Sequence, residues 1–180
     1  MTANMKRLRA RIARRGLSLV EIAMGLVILT VVVAGVMLLY QNANTSRQTA
    51  AVQTQIGAVQ QSVRSMYAGQ ADYTGVTAAT VAGMLPSSMS DGTNVTNAFG
   101  GAITVDDVDY PGRGTNSGFS VTVGGLPAEA CRTLAAADLG RAVGGLTIEG
   151  TAVSTPATPA EAQTNCANAS DANTLVWIFS

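Results

Sequence analysis

The sequence predicts an α+β protein: a long N-terminal helical spine, apolar at its front and amphipathic at its rear, packed on a globular sheet domain. Three observations carry this. An apolar run of about 24 residues, Leu17–Tyr40, exceeds the roughly 20 needed for one helix to cross a bilayer. Apolar residues then continue at helical spacing through Val52, Ile56, Val59, Val63 and Met66. Beyond Gly69 the composition turns to Gly, Ser, Thr, Asn and Ala, with short alternating segments of strand type.

The first sixteen residues form a basic leader. Lys6, Arg7, Arg9, Arg11, Arg14 and Arg15 precede the apolar run, and only five of the 11 basic residues follow it, against all 11 acids. The zero formal net charge is thus a cancellation between a basic leader and an acidic remainder. The remainder has no basic patch to neutralise several phosphates, which argues against nucleic-acid binding. The leader instead has the character of a topogenic signal, holding its own side in the cytoplasm and placing everything after Tyr40 outside.

Residues 17–40 form the candidate transmembrane and polymerisation helix. The run is too long for a secretory signal peptide, whose apolar region spans about 7–15 residues. An ordinary signal anchor satisfies the same facts. Glu21 is the one charge in the run. A carboxylate within hydrocarbon costs on the order of a few kcal/mol and by default marks function. Cleavage between Gly16 and Leu17 creates a new α-amino group four residues before Glu21. The acid then lies at the positive end of the helix dipole, within reach of another copy's N-terminus. Snorkelling of Glu21 near the membrane edge is the bland alternative.

Residues 41–68 continue the helix. Gln53, Gln55, Gln60, Gln61 and Arg64 occupy the faces that the apolar stripe leaves, as on a helix lying against a core. No proline occurs from Leu17 to Ala68 and Gly69 supplies a stop, so the expected helix is roughly 78 Å long at 1.5 Å per residue. A small domain cannot bury that length, and the front half must find cover in lipid or in other subunits. Gly25 and Gly35 are the candidate points of flexibility, since Gly costs about 1 kcal/mol relative to Ala within a helix.

Residues 69–180 form the globular domain. Thr77 reads as the N-cap of a short helix that ends before Pro86, with Val76 and Val81 at hydrophobic-staple spacing. Ala102–Val105 and Phe119–Val123 alternate as half-buried strands. Between them Asp106, Asp107 and Asp109, with Pro111, Gly112 and Gly114, read as an acidic solvated turn whose spacing fits no calcium loop. Pro127 and Glu129 open a helix that carries Cys131 and Leu134 and stops near Gly140. Leu146–Ile148 reads as a strand. Thr158-Pro159-Ala160-Glu161 fits a capping box with Pro at the first helical position, leading to Cys166. Leu175–Phe179, the most apolar stretch outside the membrane run, is expected as a buried strand near the sheet's centre, because exposed apolar edges invite uncontrolled pairing.

Cys131 and Cys166 make no C-x-x-C or zinc spacing. In an exported chain they suggest one disulfide, worth about 4 kcal/mol by the loop-entropy model; two unpaired buried thiols are the alternative. With no histidine in the chain, Ser/His/Asp and Cys/His catalysis are excluded. No catalytic, cofactor-binding or metal residues are expected, and no cofactor.

Arg15-Gly16-Leu17-Ser18-Leu19-Val20-Glu21, followed by a long apolar run, resembles the prepilin cleavage motif of type IV pilins. The long leader and Leu17 point to the IVb subclass. Asn97-Ala98-Phe99-Gly100-Gly101, Ala130-Cys131-Arg132-Thr133-Leu134 and Thr158-Pro159-Ala160-Glu161-Ala162 leading to Cys166 resemble the bundlin branch, the subunits of bundle-forming pili. The resemblance implies an antiparallel sheet with its last strand central. It also implies cleavage after Gly16 by a prepilin peptidase, N-methylation of Leu17 and alignment of neighbouring subunits by Glu21. The implied partners are identical copies in a helical filament, the inner membrane before assembly, the assembly machinery, and a host-cell or sister-pilus surface. The implied location is the inner membrane and then the extracellular pilus, with adhesion and aggregation as the role. A minor pilin or conjugative thin-pilus subunit is the alternative within the superfamily, and a monomeric membrane-anchored periplasmic protein the alternative outside it.

Overall fold

The computed structural model of the chain describes residues 19–168 and 172–180. The leader, Gly16 and Leu17 lie outside the described residues. The chain divides after Asn42 into two compact units.

Helix α1, Leu19–Met66, is the first described element. In the front unit every described side chain is exposed, and the helix runs unbroken through Gly25 and Gly35. Its rear belongs to the second unit, where Thr49, Val52, Ile56, Val59 and Val63 are buried and Met66 is half-buried. Steps of four and three keep these residues on one face. The helix closes at Met66, two residues before the expected end at Ala68, as the Tyr67 N–H makes the last turn's bond to the Val63 carbonyl and Gln70 bonds back to Tyr67.

The second unit holds a six-stranded sheet in the order β1-β2-β3-β6-β4-β5, each neighbouring pair antiparallel. The strands are β1 Val95–Thr96, β2 Ala102–Val108, β3 Gly118–Leu126, β4 Val143–Ile148, β5 Thr151–Val153 and β6 Asn173–Phe179. The most apolar segment of the body, β6, is flanked by β3 and β4, as its composition required. Leu175, Trp177 and Phe179 alternate inward and are buried to 1% exposure or less. They join the stripe of α1 in one apolar core with Phe119, Val121, Val123, Leu126, Leu146 and Ile148.

Helix α2, Ala78–Ala82, is capped by Thr77, whose hydroxyl accepts the Thr80 N–H, while Thr80 Oγ1 returns the bond to the Thr77 N–H. Val76 and Val81 are both buried, which is the staple read from the sequence. Helix α3, Ala128–Ala135, and helix α4, Pro159–Asn165, lie against each other. Pro127 caps α3 rather than entering its first turn, and the helix stops at Ala135, short of Gly140, because Ala137 tightens onto Leu134 and Asp138 caps the Gly140 N–H.

One reading of the sequence needs correction. Asp106 and Asp107 are strand residues, not part of an acidic turn. β2 continues through them because Asp106 pairs with Ser120, Asp107 with Phe119 and Val108 with Gly118. The turn begins only at Asp109, which accepts the Asn116 N–H across it. The short edge strands β1 and β5 carry no alternation that a sequence reading can detect.

Candidate assembly surfaces

The front of α1 is apolar around its whole circumference. The large apolar side chains from Leu19 to Tyr40 are 50% to 84% exposed, whereas a soluble monomer rarely shows a contiguous apolar patch beyond a few hundred Å². The segment is long and apolar enough to cross a membrane. An all-round apolar helix belongs in lipid or inside a bundle. The hydroxyl in its middle, Thr30, is satisfied internally by donating to the Val27 carbonyl at 2.8 Å, so it adds no demand for water. Glu21 lies in the first described turn of the helix. An added Cβ at Gly25 or Gly35 meets no atom within 4 Å.

Behind this segment the rear of α1 is gripped by polar as well as apolar contacts. Gln48 Nε2 donates to the Ala98 carbonyl at 3.2 Å, and the Ala98 N–H donates to Gln55 Oε1 at 3.0 Å. Ala98 belongs to the turn 97–101, which the side chain of Asn97 organises. Asn97 Nδ2 donates to the Gly124 carbonyl at 2.7 Å, and its Oδ1 accepts the N–H groups of Phe99 and Gly101. Gly101 is obligatory there, because a Cβ would sit 2.0 Å from the Gly124 oxygen. Near the end of α1, Arg64 donates to the Ser180 carbonyl oxygen at 2.6 Å.

A disulfide joins Cys131 of α3 to Cys166 at the end of α4, with both sulfurs' residues fully buried and Cα atoms 5.8 Å apart. The approach to Cys166 is set by Glu161. Its carboxylate accepts the hydroxyls of Ser154 and Thr158 and the N–H groups of both residues. These bonds, the Ser154 hydroxyl first, hold the Glu161 carboxyl down at about 2. Asp91 is likewise held at about 2, chiefly by the Asn94 N–H and then its side chain. Asp72 is lowered by Thr74. All three are loop and cap anchors at the surface.

Among the described residues no three acids or cysteines gather as ion ligands. A cleft lined by Asp138, Arg141 and Trp177 has a volume of about 250 Å³, and a wholly apolar groove of about 480 Å³ runs along Leu19, Val20, Ala23, Met24, Val27 and Ile28. The sequence reading missed the Gln48–Ala98–Gln55 contact, because it depends on a backbone partner more than forty residues away.

The bundlin family model matches residues 41–180. The major structural subunit of bundle-forming pilus from Escherichia coli O127:H6 (strain E2348/69 / EPEC) is 31% identical over 184 residues, spanning 92% of this chain and 94% of that protein. The counterpart from Escherichia coli O111:H- is 30% identical over the same shares. Among solved structures, the type IV b pilin from Salmonella typhi aligns with a TM-score of 0.56 at 23% identity, covering 71% of this chain and 97% of that one. TcpA, a type IV pilin from Vibrio cholerae El Tor, aligns with a TM-score of 0.56 at 14% identity, covering 74% and 99%. These two likenesses are of fold.

Proposed function

The chain belongs to the bundlin family, and from that premise we propose that it is the major structural subunit of a type IVb pilus, polymerising through its N-terminal helix into an extracellular filament. Bundlins are structural subunits and not an enzyme family, and the chain's curated relatives are major subunits of bundle-forming pili. The single observation that carries the mechanism is the all-round exposure of the apolar side chains from Leu19 to Tyr40. At about 25 cal/mol per Å² of apolar area removed from water, leaving that surface wet is unsustainable, so it must be covered first by the inner membrane and then by the same segment of other copies.

In this reading residues 1–16 are a leader removed by a prepilin peptidase between Gly16 and Leu17, and Leu17 is then N-methylated. Residues 17–40 are the transmembrane and polymerisation segment, 41–68 the amphipathic continuation, and 69–180 the globular pilin domain. Glu21 pairs with the N-terminal ammonium of a neighbouring copy. In hydrocarbon that pairing removes a cost that the lone subunit bears, and so it favours entry at one axial position over slipped ones. Gly25 and Gly35 allow the helix to bend where copies crowd. The outer surface, formed by the body's Ser, Thr and Asn loops, contacts host cells or sister filaments and supports adhesion and aggregation.

The test is mass spectrometry of the N-terminal peptide from filaments sheared off cells that express this chain. The expected peptide begins at a methylated Leu17 and belongs to the most abundant protein of the sheared fraction. A chain that retains Met1 and yields no filaments overturns the proposal in favour of a membrane-anchored monomer.

A further inference from the structure

We propose that Tyr110 is a strap across the end of the sheet, seated in a slot made by Gly118 and Gly144, and that its release is the step that exposes Arg113 to proteases cutting after arginine. The proposal concerns the body alone and stands whether or not the chain polymerises.

The slot is made by side chains that the strands lack. β6 lies between β3 and β4, so β3 and β4 share no ladder. Gly118 of β3 precedes the inward-facing Phe119 and therefore faces away from the core. A Cβ there would stand 3.1 Å from Tyr110 Cβ and 2.5 Å from the Phe179 carbonyl oxygen. On β4, a Cβ at Gly144 would come within 2.8 Å of Tyr110 Cε2, Cζ and the hydroxyl oxygen. The root of the side chain thus rests on β3 and its tip on β4, with the end of β6 between them. Gly144 does not adopt a positive φ, so backbone freedom does not demand glycine there, whereas the ring does. Gly144 is also the residue left without a partner where the β4–β6 register shifts between Val143 and Gly145.

The ring is gripped from its own hairpin as well. Residues 111–115 are exposed while Tyr110 is half-buried. The Tyr110 N–H donates to Ser117 Oγ at 3.1 Å, and the Arg113 N–H donates to the Tyr110 carbonyl at 3.0 Å. Arg113 then folds back over the ring, with Cζ 5.3 Å from its centroid, a distance at which a guanidinium is attracted to the aromatic face.

The distribution of cations gives this strap a chemical consequence. After the leader the chain has no lysine, and its arginines are Arg47, Arg64, Arg113, Arg132 and Arg141. Arg47 and Arg64 lie in α1 and Arg132 in α3; Arg64 and Arg132 also donate to the Ser180 and Cys166 carbonyls. A protease acts on a locally opened segment, and the core helices open least often. Arg113 stands instead on an exposed hairpin tip. Its side chain must leave Tyr110 before a protease pocket can take it, and the tip opens only when the ring leaves Gly144. Where opening and closing are fast, cutting follows the population of that open form.

The experiment is timed trypsin digestion of the full chain in detergent, with initial rates read from fragments identified by mass. The variants are Tyr110→Phe, Tyr110→Ala, Gly144→Ala, and the last two combined. Y110F is expected to be cut at Arg113 at the wild-type rate, because the ring and not its hydroxyl fills the slot. Y110A is expected to raise that rate at least about tenfold, through the lost burial of the ring. G144A raises it too with Tyr110 in place, because the added Cβ evicts the ring, and the combined variant is no faster than Y110A. Cutting at Arg64 and Arg132 rises by less than cutting at Arg113.

A general loss of stability would instead raise cutting at all three arginines equally, and that result overturns the proposal. So does a wild-type rate at Arg113 in G144A, or rates that multiply in the combined variant. If Tyr110→Ala fails to fold, G144A against Y110F still decides the matter.

Discussion

The front and the rear of α1 are built from similar apolar residues and meet opposite fates. From Leu19 to Asn42 every side chain is exposed, while Val52, Ile56, Val59 and Val63, at steps of four and three, are buried and Gln53, Gln55 and Gln60 between them are half-buried. The rear is amphipathic because a sheet covers one side of it. The front has no polar face, so no single neighbour of ordinary size can satisfy it. A helix that changes from stripe to full circumference states where the subunit's own core ends and where its membrane or its sister subunits must begin.

Four perturbations break or sharpen this contrast. The largest effect is expected at the front. Glu21→Val keeps the segment apolar and removes the charge proposed to set neighbour position, so filaments in the sheared fraction are expected to fall at least about tenfold, the equivalent of 1.4 kcal/mol. Quantitative immunoblotting of sheared against membrane fractions measures it.

In the body, Cys131→Ser with Cys166→Ser removes the bond that ties α3 to α4. The expected loss is about 2–5 kcal/mol, read as a lower urea midpoint in detergent by the fluorescence of Trp177, the chain's one tryptophan. Ile56→Ala empties a site on the buried stripe that is 1% exposed. It costs about 2–5 kcal/mol in the same assay, while the equivalent Ile28→Ala at the front leaves that midpoint unchanged, because Ile28 is 65% exposed.

The smallest effect is at Glu161. Its carboxyl is held at about 2, against 4.5 for a free glutamate. A lowered carboxyl contributes stability that is fully present above pH 4.5 and is lost as the pH falls toward 2. Glu161→Gln is therefore less stable than the wild type at pH 6, and the difference narrows through pH 4.5 to 2. Urea midpoints collected across that range show it, and a gap that stays constant with pH contradicts the assignment.

Much of this architecture was legible in the sequence because its determinants are local. Thr77 announces its helix as an N-cap flanked by Val76 and Val81, and Thr158 does so through Glu161 three positions on. The unbroken apolar run Leu175–Phe179 pointed to a strand inside the sheet, and β6 lies there between β3 and β4. What was not legible depends on partners distant in sequence. Asp106 and Asp107 look like turn residues until Ser120 and Phe119 are seen to pair with them. β1 and β5 are too short to show a period and exist because β2 and β4 offer them an edge. Gln55 reads as a position on the polar face of a helix until the Ala98 N–H is seen to donate to it.

The account depends on the front of α1 being covered by its own kind. Its most direct test is a reconstruction of the native filament at a resolution that shows side chains. The expected map gathers residues 22–40 of successive copies around one axis, in mutual contact and without water between them, with the bodies outside. A filament whose core is made of the sheet domains, with the 22–40 segments apart from one another, contradicts it.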